Sequence, residues 1–217
     1  MRRIDRETWG HHAMAAVGGF FGVYALLARG GTFGSSETSN LIYLVVAGLD
    51  GTWSSALVRL GGTACYIAGI VFAVLWRRRG RMALLRRLSV AVDLAACAAL
   101  AWIPAETDPV LALYPMFFAT AVQWVAYSQA AGYNCATIFS TNNLRQFTEG
   151  ATEYLCSRDA EALRKLRFYG GTLVCFHLGV AWGWWCTGFW GIGGIWGCLP
   201  LLAVPLPAVM ARESVSA

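Results

Sequence analysis

Gly30-Gly31-Thr32-Phe33-Gly34-Ser35-Ser36-Glu37-Thr38-Ser39-Asn40-Leu41 is a polar, glycine-rich insert between two apolar segments, residues 13–28 and 41–49. About a hundred residues later the chain returns to the pattern in Tyr133-Asn134-Cys135-Ala136-Thr137-Ile138-Phe139-Ser140-Thr141-Asn142-Asn143-Leu144. Both inserts close on Thr-x-Asn-Leu. Both follow an apolar segment with a tyrosine at the same distance, Tyr24 before Thr38 and Tyr127 before Thr141. Each is followed by a long span opening near Gly-Gly-Thr, at Gly61-Gly62-Thr63 and at Gly170-Gly171-Thr172. Matched features in the same order read as an internal repeat. A functional site is expected where the two inserts are.

Composition sets the solvent. Of 217 residues, 57% are hydrophobic and 13% are charged, and mean hydropathy is +0.51. Soluble domains carry roughly twice that share of charge, so too little polar surface remains to coat a water-soluble globule. The chain is read as integral to a lipid bilayer. Its net charge of +5 does not mark a nucleic-acid partner, because the basic residues cluster in short segments between apolar runs. The seven cysteines form no C-x-x-C pair and lie mostly inside apolar runs, so they read as small buried hydrophobes rather than disulfides or zinc ligands. Met1-Arg2-Arg3 before an apolar run has the outline of a secretory signal. No small-x-small cleavage site ends that run, so it is expected to stay as the first span.

Six spans are expected, at about residues 12–28, 55–76, 88–103, 110–131, 167–189 and 195–211. The segment 77–87 carries six arginines and no acid, which places it in the cytoplasm. Both termini then lie inside a cell (inner) membrane, and the acidic turn Glu106-Thr107-Asp108 lies outside. An amphipathic stretch is expected over 144–166 and a tight turn over 191–194. Three spans per copy is an odd number, so the second copy enters the bilayer upside down. The expected fold is all-α: a polytopic membrane protein with six transmembrane helices in a 3+3 inverted repeat, residues 12–103 and 110–211, with broken first and fourth spans. Secondary transporters are often built this way, with broken helices carrying the site near the midplane.

The candidate substrate-binding residues are Thr38, Asn40, Thr141, Asn143, Gln123, Tyr24 and Tyr127. Hydroxyls, amides and helix amino ends can surround a polar solute or anion. Thr and Asn at these places can equally do no more than cap the helices that follow. Gln123, near the middle of its span, can line a cavity or bond a neighbouring helix. Asp93 is expected to pair with the arginines at Arg86 and Arg87 in preference to serving as a proton relay, Arg59 to snorkel outward, and His177 to sit in packing in preference to holding a proton. The spacings Gly18-x-x-x-Gly22, Gly179-x-x-x-Gly183 and Gly193-x-x-x-Gly197 favour close helix approach, and the bundle they imply can continue into a homo-oligomer. No nucleophile–base pair, metal cluster or phosphate loop is present, so neither an enzyme nor a cofactor is expected.

The string Gly18-Gly19-Phe20-Phe21-Gly22-Val23-Tyr24, then Gly30-Gly31-Thr32-Phe33, then Thr38-Ser39-Asn40-Leu41, resembles the YoaK-like family of small bacterial multi-pass membrane proteins, defined by a domain of unknown function. Members read G-G-F-x-D-x-Y, G-x-F and T-G-N in the first copy. The second copy carries a glutamine in the fourth span and a second T-G-N or T-G-T, which Gln123 and Thr141-Asn142-Asn143-Leu144 match in place. Gly22 stands where the family has aspartate, and Ser39 and Asn142 stand where it has glycine. The resemblance covers about residues 13–211 and implies a six-span membrane protein.

These features lead to a permease or secondary transporter of a small polar solute, with the bilayer as its surroundings. The alternative is a structural or regulatory membrane protein that moves nothing. Under the topology above, reporter-fusion or cysteine-accessibility mapping places Gly80 inside and Thr107 outside. Both on one side would remove the inverted repeat together with the topology.

Overall fold

A computed structural model describes residues 3–33 and 37–207, with side chains from Arg6 onward. Residues 34–36 of the first insert and 208–211 of the expected last span lie outside the described residues. Among the described residues the fold is all-α apart from one small hairpin. Three stretches among the described residues are long and apolar enough to cross a membrane: Arg6–Ala28, Trp53–Arg78 and Ala160–Ala203. Rows of large apolar side chains face outward on them, among them Leu57, Ile67, Val71 and Leu75, then Val174, Leu178, Trp184 and Phe189. In water such a surface would drive aggregation; against lipid it needs no cover.

Helix α1, Arg3–Ala28, begins well before the expected start of the span. Nothing in the polar arm breaks a helix, so the first span extends it toward the amino end. Its carboxyl end is fixed by Gly30 and Gly31, both at positive φ. The Gly31 amide donates to Leu26 O at 3.0 Å, the bond that closes a Schellman motif. Helix α2, Glu37–Leu49, and α3, Trp53–Arg78, form an antiparallel pair. Helix α4, Met82–Trp102, follows the arginine-rich turn.

The expected fourth span is broken as its prolines require. Asp108 accepts from the amides of Val110 and Leu111 at 2.9 and 3.1 Å, starting α5, Pro109–Ala112. Helix α6, Tyr114–Ala126, carries Pro115 in its first turn. It stops five residues short of expectation at the hairpin formed by β1, Gln129–Ala130, and β2, Tyr133–Asn134. Ala131 and Gly132 at the hairpin tip both have positive φ, the backbone of a tight two-residue turn.

The amphipathic stretch 144–166 is split. Helix α7, Thr141–Ser157, ends at Arg158 in the left-handed region, and α8, Ala160–Trp190, starts anew. Asp159 forces the restart by accepting from Glu161 N and Ala162 N. The expected tight turn at 191–194 is part of a 3-10 helix, Gly191–Gly197, which leads into α9, Cys198–Ala203. Four glycines in seven residues give that segment little side-chain packing to hold an α-helix.

Helices α1 and α6 form the centre. Met14, Val17, Phe20, Phe21 and Tyr24 of α1 pack in one core with Met116, Phe117, Ala121 and Val122 of α6. The partners of these two helices differ. Helix α1 lies along α8 and α9, while α6 lies along α3 and α4; α2 packs on α3 and α7 on α8. Contact between α1 and α8 is backbone to backbone. A Cβ on Gly19 would overlap the Phe176 carbonyl, and one on Gly179 the Ala16 carbonyl. Gly22, in contrast, has open space where a Cβ would point. Gly179→Val is therefore expected to destabilise the fold by at least ~1–3 kcal/mol, read as a lowered midpoint in thermal unfolding in detergent. Gly22→Ala should leave that midpoint nearly unchanged, and equal effects would show that close approach is not what these glycines supply.

Candidate functional site

The second insert leaves α6 through its hairpin and runs back along α1. Tyr133 Oη donates to Glu161 Oε1 at 2.6 Å, and Tyr169 Oη donates to Asn134 O at 2.6 Å, so the hairpin is tied to α8. Partial burial, and next the bond to Glu161, push the Tyr133 hydroxyl up to about 12. Residues 136–139 then form irregular backbone pressed on α1, close enough that a Cβ on Gly18 would overlap the Thr137 carbonyl.

Backbone without a helix partner must be satisfied by side chains here. Asn143, buried at 1% exposure, does most of this. Its amide donates to Ala136 O at 2.6 Å and to Phe139 O at 2.9 Å, and its carbonyl oxygen accepts from Ala136 N at 3.4 Å. Gln123, fully buried, donates to Met14 O and to Thr137 Oγ1, both at 2.9 Å. It thereby joins α6, α1 and the insert.

Asn40 plays a related part at the first insert, at 2% exposure. Its amide donates to Glu37 Oε2 at 3.1 Å, Arg59 O at 3.0 Å and Thr63 Oγ1 at 3.1 Å. Thr63 in turn donates to Glu37 Oε2 at 3.0 Å. This places the amino end of α2 beside the second and third turns of α3. Neither asparagine acts as a simple amino-terminal cap: α7 has no side-chain cap bond.

The two inserts meet. A cavity of about 660 Å³ lies beside the α1–α8 contact, between α2 and the second insert. Thr38, Ser39, Ile42 and Tyr43 of α2 line it together with Ile138, Phe139, Ser140 and Thr141 of the second insert. Gly19, Gly22, Val23 and Leu26 of α1 and Phe176 and Val180 of α8 form its walls. The wall is mostly apolar, its polar groups are hydroxyls, and no charged side chain lines it among the described residues. Ser140 Oγ is buried without a hydrogen-bond partner. A smaller cavity of about 220 Å³ adjoins, lined by Gly30, Gly31, Thr32 and Phe33 with Ser39, Asn40, Tyr43 and Arg59.

Of the sequence-derived candidates, Thr38 and Thr141 thus share one cavity. Asn40 borders the smaller one, while Asn143 and Gln123 lie behind the insert. Tyr24 and Tyr127 sit away from the main cavity in matching roles. Tyr24 Oη donates to Ile192 O at 3.1 Å, and Tyr127 Oη donates to Arg86 O at 3.5 Å.

Residues 11–207 match the family described as DUF1275, protein of unknown function. The chain belongs to the DUF1275 family. No curated protein and no solved structure matches it.

Within this DUF1275 chain several polar groups fall elsewhere than expected. Asp93 makes no bond to an arginine: it is fully buried, and neither carboxyl oxygen has a hydrogen-bond partner. It lies on the inward stripe of α4 with Leu85, Ser89, Cys97 and Leu100, so the core surrounds it. Arg59 does not snorkel free. Its guanidinium stands 4.7 Å from the Tyr43 ring and bonds Asn40 Oδ1 at 3.5 Å. His177 is exposed and contacts its own helix at Leu173 O, 2.8 Å away. Arg29 gave no signal in sequence, yet it is buried at 2% exposure. Its guanidinium donates to Leu100 O, Ile103 O and Pro104 O at 3.0, 2.8 and 2.8 Å, capping the carboxyl end of α4. An arginine one residue past an apolar run, followed by two glycines, is the only hint the sequence offers.

Asn143→Ala orphans two buried carbonyls and should cost about 1–3 kcal/mol. Amide hydrogen exchange over residues 136–139 should speed up with it. Unchanged protection there would mean the insert is held by something other than Asn143.

Proposed function

We propose that this DUF1275 chain is a small permease of the cell membrane, with both termini cytoplasmic, whose substrate binds where the amino ends of α2 and α7 face one another. One observation carries the reading: Thr38-Ser39 and Ser140-Thr141, about a hundred residues apart in sequence, line one cavity. Helix amino ends present unpaired N–H groups, and hydroxyls beside them accept or donate as a solute demands.

A 3+3 inverted repeat is the architecture that best accounts for this meeting. The packing of α1 on α8 answers that of α6 on α3, α2 on α3 answers α7 on α8, and α4 on α6 answers α9 on α1. The tyrosines follow the same rule. Tyr24 reaches the segment after α8 in the second copy, and Tyr127 reaches the start of α4 in the first. The short helices α2 and α7 are then half-spans whose amino ends approach from opposite faces. Helices α4 and α9 complete the copies.

The lining narrows the solute. Without a charged side chain, the cavity suits a neutral or zwitterionic molecule with a hydrogen-bonding end and an apolar body, and disfavours a multivalent cation. A second reading has its own support. The amides of Asn40, Asn143 and Gln123 all spend their donors inside the protein, as a bundle that moves nothing would require.

Purified protein screened by thermal unfolding against neutral and zwitterionic amphiphiles separates the two. A binding solute should raise the midpoint, and Gly22→Phe, which fills open space in the cavity, should abolish that rise while leaving the ligand-free midpoint near wild type. A rise that survives Gly22→Phe puts binding elsewhere. No rise with any solute class leaves the non-transporting reading.

A further inference from the structure

Asp93 is the buried acid that the cavity does not use. It and Ser89 stand about one turn apart on α4, both fully buried. Asp93 Oδ1, Asp93 Oδ2 and Ser89 Oγ all lack hydrogen-bond partners. The titratable groups facing this spot are Cys97 one turn further along α4, Tyr127 from α6 and Cys198 from α9, each within electrostatic reach of Asp93 or of one another. The 3-10 helix brings no titratable side chain. Helix α3 adjoins α4 across their turn, where its titratable side chains are Arg77 and Arg78. Arg86 lies about two turns from Asp93, with its guanidinium 5.8 Å from the Tyr127 ring.

Among the described residues, a carboxylate in such surroundings has no cation and no donor to offset its lost hydration. A neutral acid does not carry the cost of burying a charge, and Ser89 Oγ, one turn away, is an unpaired hydroxyl on the same face. We propose that Asp93, with Ser89, forms a proton-binding site inside the bundle, occupied by a proton in the conformation seen here. An apolar groove of about 350 Å³ between α4 and α9, lined by Arg87, Val90, Leu94, Leu199, Leu202 and Leu206, supplies the route to it. Val90 and Leu202 belong both to that groove and to the core around Cys97, Cys198 and Tyr127. Parting of α4 and α9 along it would open the acid and release the proton. The inference rests on α4 and its neighbours and does not depend on the permease reading.

A hydrophobic carbodiimide tests it, because the reagent enters from lipid and reacts with the acid rather than the carboxylate. The acid O–H adds across one C=N bond to give an O-acylisourea. The acyl group then moves to nitrogen as a stable N-acylurea; nothing leaves and nothing is oxidised. The full-length chain in membranes would be treated with dicyclohexylcarbodiimide and its peptides mapped by mass. Labelling at Asp93 should far outpace labelling at the exposed acids Glu149 and Glu153, and excess sodium chloride should not slow it. In Asp93→Asn the adduct at this position should vanish while the melting midpoint stays near wild type. Absence of an Asp93 adduct in the native chain, when the unfolded chain in acid labels there, overturns the proposal. Protection by sodium ions overturns it too, since the site would then hold a metal cation. If Asp93→Asn fails to fold, the wild-type adduct map still decides.

Discussion

The structure depends on how closely α1 can approach α8. Helices in lipid gain little from burying apolar surface against each other, because the tails are as apolar as the side chains. Dispersion contact and shape then set where they lie, and these reward approach without intervening side chains. Gly19 and Gly179 allow it by giving each backbone a carbonyl of the other to rest on. With α1 seated there, Gly18 receives the Thr137 carbonyl, and so the second insert can cross the face of α1 at all. Bulk at any of these positions would push α8 or the insert outward and remove the walls of the main cavity.

A second constraint follows. Once irregular backbone is drawn into the bundle, each of its polar groups needs a partner, and water is scarce. The solution is asymmetric. At the second insert the backbone is served by Asn143, while Gln123 ties the Thr137 hydroxyl to α1. At the first, Asn40, Glu37 and Thr63 instead bind one another and the α3 backbone. The same residue types in the same sequence pattern therefore do different work. One copy fastens a loop, and the other fastens a helix start to its neighbour. Arg29 solves a third case, the exposed carbonyls at the end of α4, with one guanidinium.

Much of this was legible in the sequence where a single physical rule dominates. Charge scarcity made the chain a membrane protein. Gly30 and Gly31 ended α1, and Asp108 with Pro109 started a helix where prolines require one. The interruption after Tyr127 was visible as clustered Asn, Thr and Ser. What was not legible depends on competition between rules. Residues 3–11 of the polar arm are helical because a helix needs no apolar face to continue from an apolar one. Asp159 splits an otherwise even amphipathic pattern because one cap outweighs periodicity. Arg29 was invisible because its partners are backbone carbonyls, which every sequence has. Of the site candidates, the two threonines came together at the main cavity, whereas the tyrosines, spaced alike in sequence, do not line it and bond backbone carbonyls of other segments.

The polar groups of this bundle divide by whether their hydrogen bonds close. Asn40 and Asn143 are enclosed by partners, and such groups hold shape. Ser140 Oγ at the cavity, and Asp93 and Ser89 in α4, are buried and open-handed. In lipid-like surroundings an unmet donor or acceptor is a standing cost, so a fold that keeps one keeps it against the pressure that filled the others. Ser140 lies beside the apolar cavity that the inserts share, and Asp93 and Ser89 lie on the inward stripe of α4, whereas Gln123 Oε1, Glu37 Oε1 and Arg29 Nε are unmet atoms on side chains whose other polar atoms are bonded. That distribution, rather than the count of polar residues in the spans, separates the side chains that fasten this bundle from those whose hydrogen bonds stay open.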